Sequence, residues 1–376
     1  MLKLCCSGTE QNLSSTIRVT AAEPGIITGT PRLSVVVPVR NGRMFLGRCL
    51  DGLAHSDYAE FEVIVVDDCS ADDSATIAAR YGARCVRTPQ TLGPAGARNL
   101  GASETTGDIL VFVDADVVVP PGALSRVAND FEHDAELAAV FGSYDDQPAW
   151  KTFISQYKNL MHHYVHQTAS ESATTFWAGC GAIRRSVFEE IGGFDAATYK
   201  APSIEDIALG VELARQGRAI RLDKQLQVKH LKRWTVRNLL RADILYRAVP
   251  WTKLILNARE MPRDLNLNYA SRVSSVLVSW LTLSLLLLPF SVASVLPLAP
   301  AICLAAAALC AVALLALNFD VYRFFRRKRG LWFVFRVVPV HWSYYLYSGL
   351  TFAFCMATHA FSAQPSPARK PSVGRT

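Results

Sequence analysis

Two short runs of β-branched and apolar residues, LSVVVP at 33–38 and FEVIVV at 61–66, each end in polar residues. That is the pattern of strands buried on both faces of a parallel sheet. Between them, residues 42–53 carry apolar side chains at helical spacing, and residues 70–81 repeat this after the second run. The alternation strand, helix, strand, helix predicts a doubly wound α/β sheet. Next come CVRTP, a Gly-rich connection (LGPAGARNLGA), a helical piece and a third very apolar strand in DILVFVDADVVVP. The pattern then changes character. From Val273 to Phe319 there is no charged residue, a length that holds two spans of about 20 residues each, with Pro289, Pro297 and Pro300 marking the turn. A third apolar run, Val337 to Thr358, is also long enough to span, although Pro339 and His341 interrupt its start. A core helix of a soluble domain shows a polar face, and the first run shows none. The patterns divide the chain into a mobile tail (1–30), an α/β domain (31–235), interfacial amphipathic helices (236–272), a transmembrane region of two or three helices (273–360) and a second tail (361–376).

Composition agrees with contact to lipid: 51% of the 376 residues are hydrophobic and 19% charged, too apolar for a disordered chain. The net charge of +7 is modest and argues against a nucleic-acid partner. Nine cysteines without a C-x-x-C pair point to a reducing compartment and away from a zinc site. Basic residues cluster before the first span (Arg247, Lys253, Arg259, Arg263, Arg272) and between the second and third (Arg323, Arg326, Arg327, Lys328, Arg329). By the positive-inside rule, both flanks and the α/β domain face the cytoplasm, at the inner membrane. Residues 1–30 contain no long apolar stretch of the kind that marks a signal peptide. The segment RNLLRADILYRAVPWTKLILNARE (237–260) alternates basic and apolar positions at roughly helical spacing, as helices lying in the membrane interface do.

In open α/β sheets, ligands bind beyond the carboxyl ends of the strands. The first strand ends in Pro38, Arg40 and Asn41, the second in Asp67, Asp68 and Ser70, the third in Asp114 and Asp116. Converging carboxylates repel one another, so a cation or hydrogen-bonding ligand is expected among them. A single D-x-D is commonly a turn or a helix cap. Directly after ILVFV and downstream of VVDDCS, Asp114 and Asp116 are better read as holders of a hard divalent ion that also grips a diphosphate. No G-x-G-x-x-G follows the first strand, which excludes a dinucleotide oxidoreductase.

VVVPVRNG, VIVVDDCSADDS, GPAGARNLGA, GDILVFVDADV, FWAGCGAIRRSVFEEIGGFD and IEDIALGVELARQG, in this order over residues 33–234, resemble the successive motifs of family 2 glycosyltransferases with the GT-A fold. The resemblance implies a metal-dependent, inverting hexosyltransferase that uses a nucleotide sugar, with a family tendency to UDP-sugars. It implies nucleotide-sugar contacts from Pro38, Asn41, Asp67, Asp68, Arg98 and Asp114. Mg2+ or Mn2+ would be held by Asp114 and Asp116. Glu205 and Asp206 match the family's acidic pair, with Asp206 as the base that deprotonates the acceptor hydroxyl. Trp177, Gly179 and Cys180 match the acceptor floor. HLKRW (230–234) is similar to the Q-x-x-R-W motif of membrane-bound members, with His230 in place of glutamine. Arg233 and Trp234 would then meet diphosphate and acceptor, while His230 is either a third metal ligand or a hydrogen-bond partner of the acceptor. The missing glutamine and the few spans weigh against the alternative of a processive polysaccharide synthase. A catalytically inactive membrane-bound nucleotide-sugar binder is the second alternative, disfavoured by so many facing carboxylates. The interfacial segment beside the site points to a lipid or lipid-linked acceptor. His162, His163 and His166, on a helix before FWAGC, could line the acceptor entrance, but such histidines are more often surface residues and no role is assigned to them.

Overall fold

A computed structural model describes residues 30–258, 269–292 and 298–361. Arg259, Arg263, Pro297 and nearly all of the two expected tails lie outside the described residues. Strands β1 (Leu33–Val39), β2 (Phe61–Asp67), β3 (Arg84–Arg87) and β4 (Ile109–Val113) are parallel neighbours in the order β3-β2-β1-β4. The sheet continues through β7 (Cys180–Arg184), β6 (Leu137–Tyr144), β8 (Ala219–His230) and β5 (Val117–Val118), eight strands in all. β7 runs antiparallel to both β4 and β6, so the sheet is mixed.

Side chains alternate between the two faces of β1, as a period of two requires. Val35 and Val37 pack with Leu46 and Leu50 of α1 (Leu46–Ala54) and Leu124 and Val127 of α4 (Ala123–His133). Val36 faces the other layer, with Ala95 and Ala97 of α3 (Gly93–Ser103) and Leu209 and Leu213 of α7 (Glu205–Arg215). Helices cover both faces, which is why the strands read as continuous apolar runs. Helix α2 (Ser74–Arg80) joins β2 to β3, and α6 (Arg185–Glu190) follows β7.

Two expectations change. The Gly-rich connection is itself helix α3, beginning with Pro in its first turn. Its glycines serve close packing, since a Cβ at Gly101 would overlap Val36 on β1. The third apolar strand also divides. β4 stops at Val113, Asp114 donates its N–H to Gly179 O (3.1 Å), and Val117 N–H closes a turn onto Asp114 O (2.9 Å). β5 then pairs with β8 at the far edge, Val117 opposite His230. Two residues apart in an uninterrupted strand, Asp114 and Asp116 would both point into one apolar layer, so the turn is what lifts them clear of the core.

Helix α7, which carries Glu205 and Asp206, lies so close to residues 175–176 that a Cβ at Gly210 would overlap backbone atoms of both. Alanine in mid-helix normally gains about 1 kcal/mol over glycine. Here overpacking against rigid backbone costs about 1–3 kcal/mol and outweighs it. Gly210→Ala is therefore expected to lower the thermal midpoint, and an unchanged or higher midpoint would contradict the close packing.

Beyond the sheet, α8 (Val236–Asp243) starts with a capping box between Thr235 and Asn238 and passes through one π-helical turn (Ile244–Ala248) into α9 (Val249–Ala258). Helices α10 (Tyr269–Val292) and α11 (Ala299–Leu317) are, among the described residues, the two long and apolar enough to cross a membrane. Only 17% and 11% of their most apolar stretches are buried, so they are not core helices of the α/β domain. The third apolar run falls within α13 (Leu331–Phe361) and does not meet the same measure, so α10 and α11 are the two candidate spans among the described residues. The basic stretch between them is no loop. It forms α12 (Phe319–Arg329), whose Phe325 stacks on Tyr157 of α5 (Phe153–Thr168) while Lys328 pairs with Asp146 and Arg329 bonds to Gln156.

Candidate active site

The carboxyl ends of β1, β2 and β4 and the amino end of α7 converge. Asp67 accepts the N–H of Ser70 (2.9 Å), and its Oδ2 is buried without a hydrogen-bond partner among the described residues, with Arg87 Nε 3.7 Å away. Such an oxygen is suited to an N–H or hydroxyl from a ligand. Asp68 is buried and accepts from Leu92 N (2.6 Å) and Gly93 N (3.0 Å), so it caps α3 from another loop. Asn41, at φ 53°, accepts from Ala71 N (2.8 Å) and donates its own N–H to Ser70 Oγ (2.9 Å), binding the first two strand-end loops together. Pro38 lies in β1 opposite Val66.

Arg98 of α3 is the hub. Only 5% exposed, it donates Nη1 to Glu205 Oε1 and Nη2 to Asp114 Oδ1, both at 2.8 Å. Burial opposes its charge, but Asp114, Glu205 and Asp206 together hold it protonated. Burial raises the Asp114 carboxyl, with Arg98 opposing and Asp116 adding to the rise. Burial also works against ionisation of Asp116. Hydrogen bonding and charge from His230, whose Nε2 lies 3.6 Å from Asp116 Oδ2, together with Lys232, outweigh it and hold Asp116 low.

Glu205 and Asp206 are adjacent but unlike. Glu205 is buried, with one oxygen on Arg98 and the other accepting Ser203 N (3.0 Å). Asp206 stays half-buried and accepts Ala178 N (3.1 Å), which places it against the Trp177–Gly179 segment. Burial, and then the Glu205 charge, push the Asp206 carboxyl up to about 6, against Arg98 and two backbone N–H donors. A group titrating there is suited to exchange protons near neutrality. Gly179 is required beneath the Trp177 ring, because a Cβ would overlap its atoms. Cys180 is buried on β7, and burial with Asp114 nearby pushes its thiol up to about 12, which makes it unreactive.

The three histidines of α5 are not at the surface. His162 stacks between His166 (3.9 Å between ring centroids) and Tyr144 (4.2 Å), and Tyr144 stacks flat on His230 (4.1 Å, 8°). Trp177 closes the column edge-on to Tyr144 at 4.9 Å. Burial holds His162 well below its ordinary range and His166 at about 4, so both are neutral. His163 is also buried, with Nδ1 on Tyr144 O (2.9 Å). The spacing 162, 166 on one helical face was the available signal, and Tyr144, at the end of β6, had none.

Arg233 lies exposed over the Trp150 ring (5.3 Å). Trp234 is buried, its indole N–H without a partner among the described residues, with Lys232 and Lys158 over its ring (4.8 and 5.8 Å). Among the described residues no three His, Cys, Asp or Glu form a metal cluster. Asp116 and His230 do form a carboxylate–imidazole pair, a donor set compatible with a divalent ion that completes its coordination on diphosphate oxygens. Asp114 Oδ1 is engaged by Arg98.

Parallel strands with carboxylates gathered at their carboxyl ends, completed by antiparallel β7, define a GT-A nucleotide-diphospho-sugar transferase fold. Residues 34–192 match the model of glycosyl transferase family 2. A pre-mycofactocin glycosyltransferase of Mycobacterium tuberculosis is 27% identical over 224 residues, 57% of this chain and 46% of that protein. The GalNAc(5)-diNAcBac-PP-undecaprenol β-1,3-glucosyltransferase of Campylobacter jejuni is 30% identical over 119 residues, 30% of this chain and 38% of that protein. In fold, the chain is similar to a mannosyltransferase of Pyrobaculum calidifontis solved with GDP-Man and Mn2+, with a TM-score of 0.53 and 17% identity over 90% of this chain and 89% of that one. The chain spans about half the length of the curated relatives it matches.

Proposed function

We propose that this protein is an inverting glycosyltransferase that moves a sugar from a nucleotide diphosphate sugar, UDP-linked, to a hydroxyl of a lipid or lipid-linked acceptor at the cytoplasmic face of the inner membrane. One observation carries the reading: of the two adjacent acids at the start of α7, Glu205 is locked to Arg98 while Asp206 remains accessible, raised to about 6 and set against the Trp177–Gly179 floor. The α10 and α11 helices support the membrane location.

In this mechanism the free Oδ2 of Asp67 accepts from the nucleobase, and Asp68 sets α3 so that Arg98 reaches the strand ends. Asp116 and His230 would hold Mg2+ or Mn2+, with Asp114 alongside; when bound, the ion neutralises charge on the diphosphate. Tyr144 fixes the His230 ring by stacking, so that Nε2 faces Asp116. Asp206 takes the proton from the acceptor hydroxyl. The acceptor oxygen bonds to the anomeric carbon as the bond to the diphosphate breaks, and the electron pair leaves with the nucleoside diphosphate. A single displacement with one base opposite the leaving group inverts the anomeric carbon.

The test is the configuration of the product. With a ¹³C1-labelled α-linked donor and membrane lipid extract, NMR of the isolated glycolipid is expected to show a β linkage, and an α linkage would overturn the single-displacement mechanism. A second expectation concerns the imidazole. His230→Ala should raise the Mn2+ concentration needed for half-maximal rate at least about tenfold, within the range for loss of one metal-site partner. An unchanged Mn2+ dependence would remove His230 from the metal site.

A further inference from the structure

A cavity of about 970 Å3 lies between the catalytic domain and the membrane helices, outside the strand-end site. Its floor is the outer side of α5, including Met161, Tyr164 and Val165, and its far walls come from α9, the first half of α10, and α13. The lining is mainly apolar and aromatic, and the size is at the upper end of small-molecule sites, about 300–1,000 Å3. Trp251 and Trp280 stand in its wall, as tryptophans do at the level of lipid headgroups.

Three features point to an occupant with an apolar chain and an anionic group. First, the charged wall residues are Lys158, Arg247 and Arg272 against Asp243 and Asp320, an excess of one positive charge. Lys158 (2.6 Å) and Arg247 (3.6 Å) share the single buried carboxylate of Asp243, which also accepts from Tyr347. The Arg247 side chain is 48% exposed, so its guanidinium can take a second partner. Second, wall residues Thr175, Trp251 and His341 hold buried polar atoms (Oγ1, Nε1 and Nδ1) without a hydrogen-bond partner among the described residues, and Thr175 and His341 are at least nine-tenths buried. Buried polar groups of this kind are normally satisfied. Third, the cavity adjoins the site. Thr175 lies three residues before Ala178, whose N–H holds Asp206, a span of at most about 10 Å. Lys158 lies over the ring of Trp234.

We propose that this cavity binds the hydrocarbon chain and phosphate of a lipid-linked acceptor. The chain lies between α5 and α10, Arg247 meets the phosphate, and the sugar that the phosphate carries reaches past Thr175 to Asp206. The inference rests on the glycosyltransferase reading with a lipid-linked acceptor, and names the place where that lipid is held.

The experiment measures equilibrium binding of radiolabelled farnesyl phosphate to the detergent-purified full chain, with farnesol and inorganic phosphate as competitors and nucleotide-sugar binding followed in parallel. Saturable one-to-one binding is expected, displaced weakly by farnesol and not by inorganic phosphate. Ser279→Phe, which fills the cavity from α10, should weaken it at least tenfold, whereas Ser279→Ala should not. Arg247→Gln should weaken farnesyl phosphate about tenfold while leaving farnesol unchanged. Nucleotide-sugar binding should persist in all three variants. Absence of saturable binding, displacement by inorganic phosphate alone, or indifference to both Ser279→Phe and Arg247→Gln would overturn the proposal. A wild-type protein that binds farnesyl phosphate but no nucleotide sugar would instead refute the enzymatic reading on which it rests.

Discussion

Asp206→Asn is expected to lower sugar transfer by about 10³-fold or more, at or near the upper range for removal of a positioned general base, with nucleotide-sugar affinity nearly unchanged. The amide keeps the size of the side chain and an oxygen for the Ala178 N–H but cannot take a proton. Because burial and Glu205 push Asp206 up to about 6, kcat/KM of the wild type should climb with pH through that value and level off above it. The same shift has a sign for stability. A carboxyl whose folded pKa lies above its ordinary value of 3.8 weakens the fold above about pH 6 and has no such effect below both values. Asp206→Asn should therefore raise the thermal midpoint at pH 7 to 8, with the gain fading toward pH 4. An inactive variant that is more stable than the parent separates a catalytic acid from a structural one. A variant that keeps activity, or a pH profile flat from 5 to 8, would remove Asp206 from the mechanism.

Arg98→Met should have the largest effect on the fold. Removing the guanidinium leaves Asp114 and Glu205 facing each other at the buried centre of the site, and breaking a buried pair from one side costs about 3–5 kcal/mol. The deficit should shrink as pH falls from 7 to 5, because the Asp114 carboxyl, already raised by burial, then takes up a proton. Arg98→Lys should recover only part of the loss, since a single ammonium does not reproduce two N–H donors directed at two carboxylates. Thermal or denaturant unfolding at the two pH values measures this. A loss below about 1 kcal/mol, typical of an exposed ion pair, would show that the cluster is solvated.

Much of this architecture was legible in the chain. Strands on a fully covered sheet must be apolar throughout, so β1, β2 and β4 announced themselves, and the acids that follow them gather at the candidate site. What escaped depends on contacts distant in sequence. Residues 93–103 read as a loop because glycine disfavours helix locally, yet Asp68 caps that helix from another strand end and Val36 leaves room only for Gly101. The run DILVFVDADVVVP read as one strand because local pattern does not register a turn closed by Gly179. His162 and His166 read as surface residues because imidazole is polar, and Phe141, Tyr144 and Trp177, from other segments, cover them. The basic run of α12 was legible in the sequence, but its docking onto α5 was not, because that required Asp146 and Gln156 to be nearby.

The central claim is that the clustered acids act on a nucleotide sugar. It is tested most directly by nucleoside diphosphate release from the detergent-purified protein, across UDP-, GDP- and dTDP-sugars with Mn2+ or Mg2+ and membrane lipid extract as acceptor. The account predicts release from a UDP-sugar, dependent on the metal and lost in Asp116→Asn. Failure of every donor both to react and to bind in a metal-dependent way would contradict it.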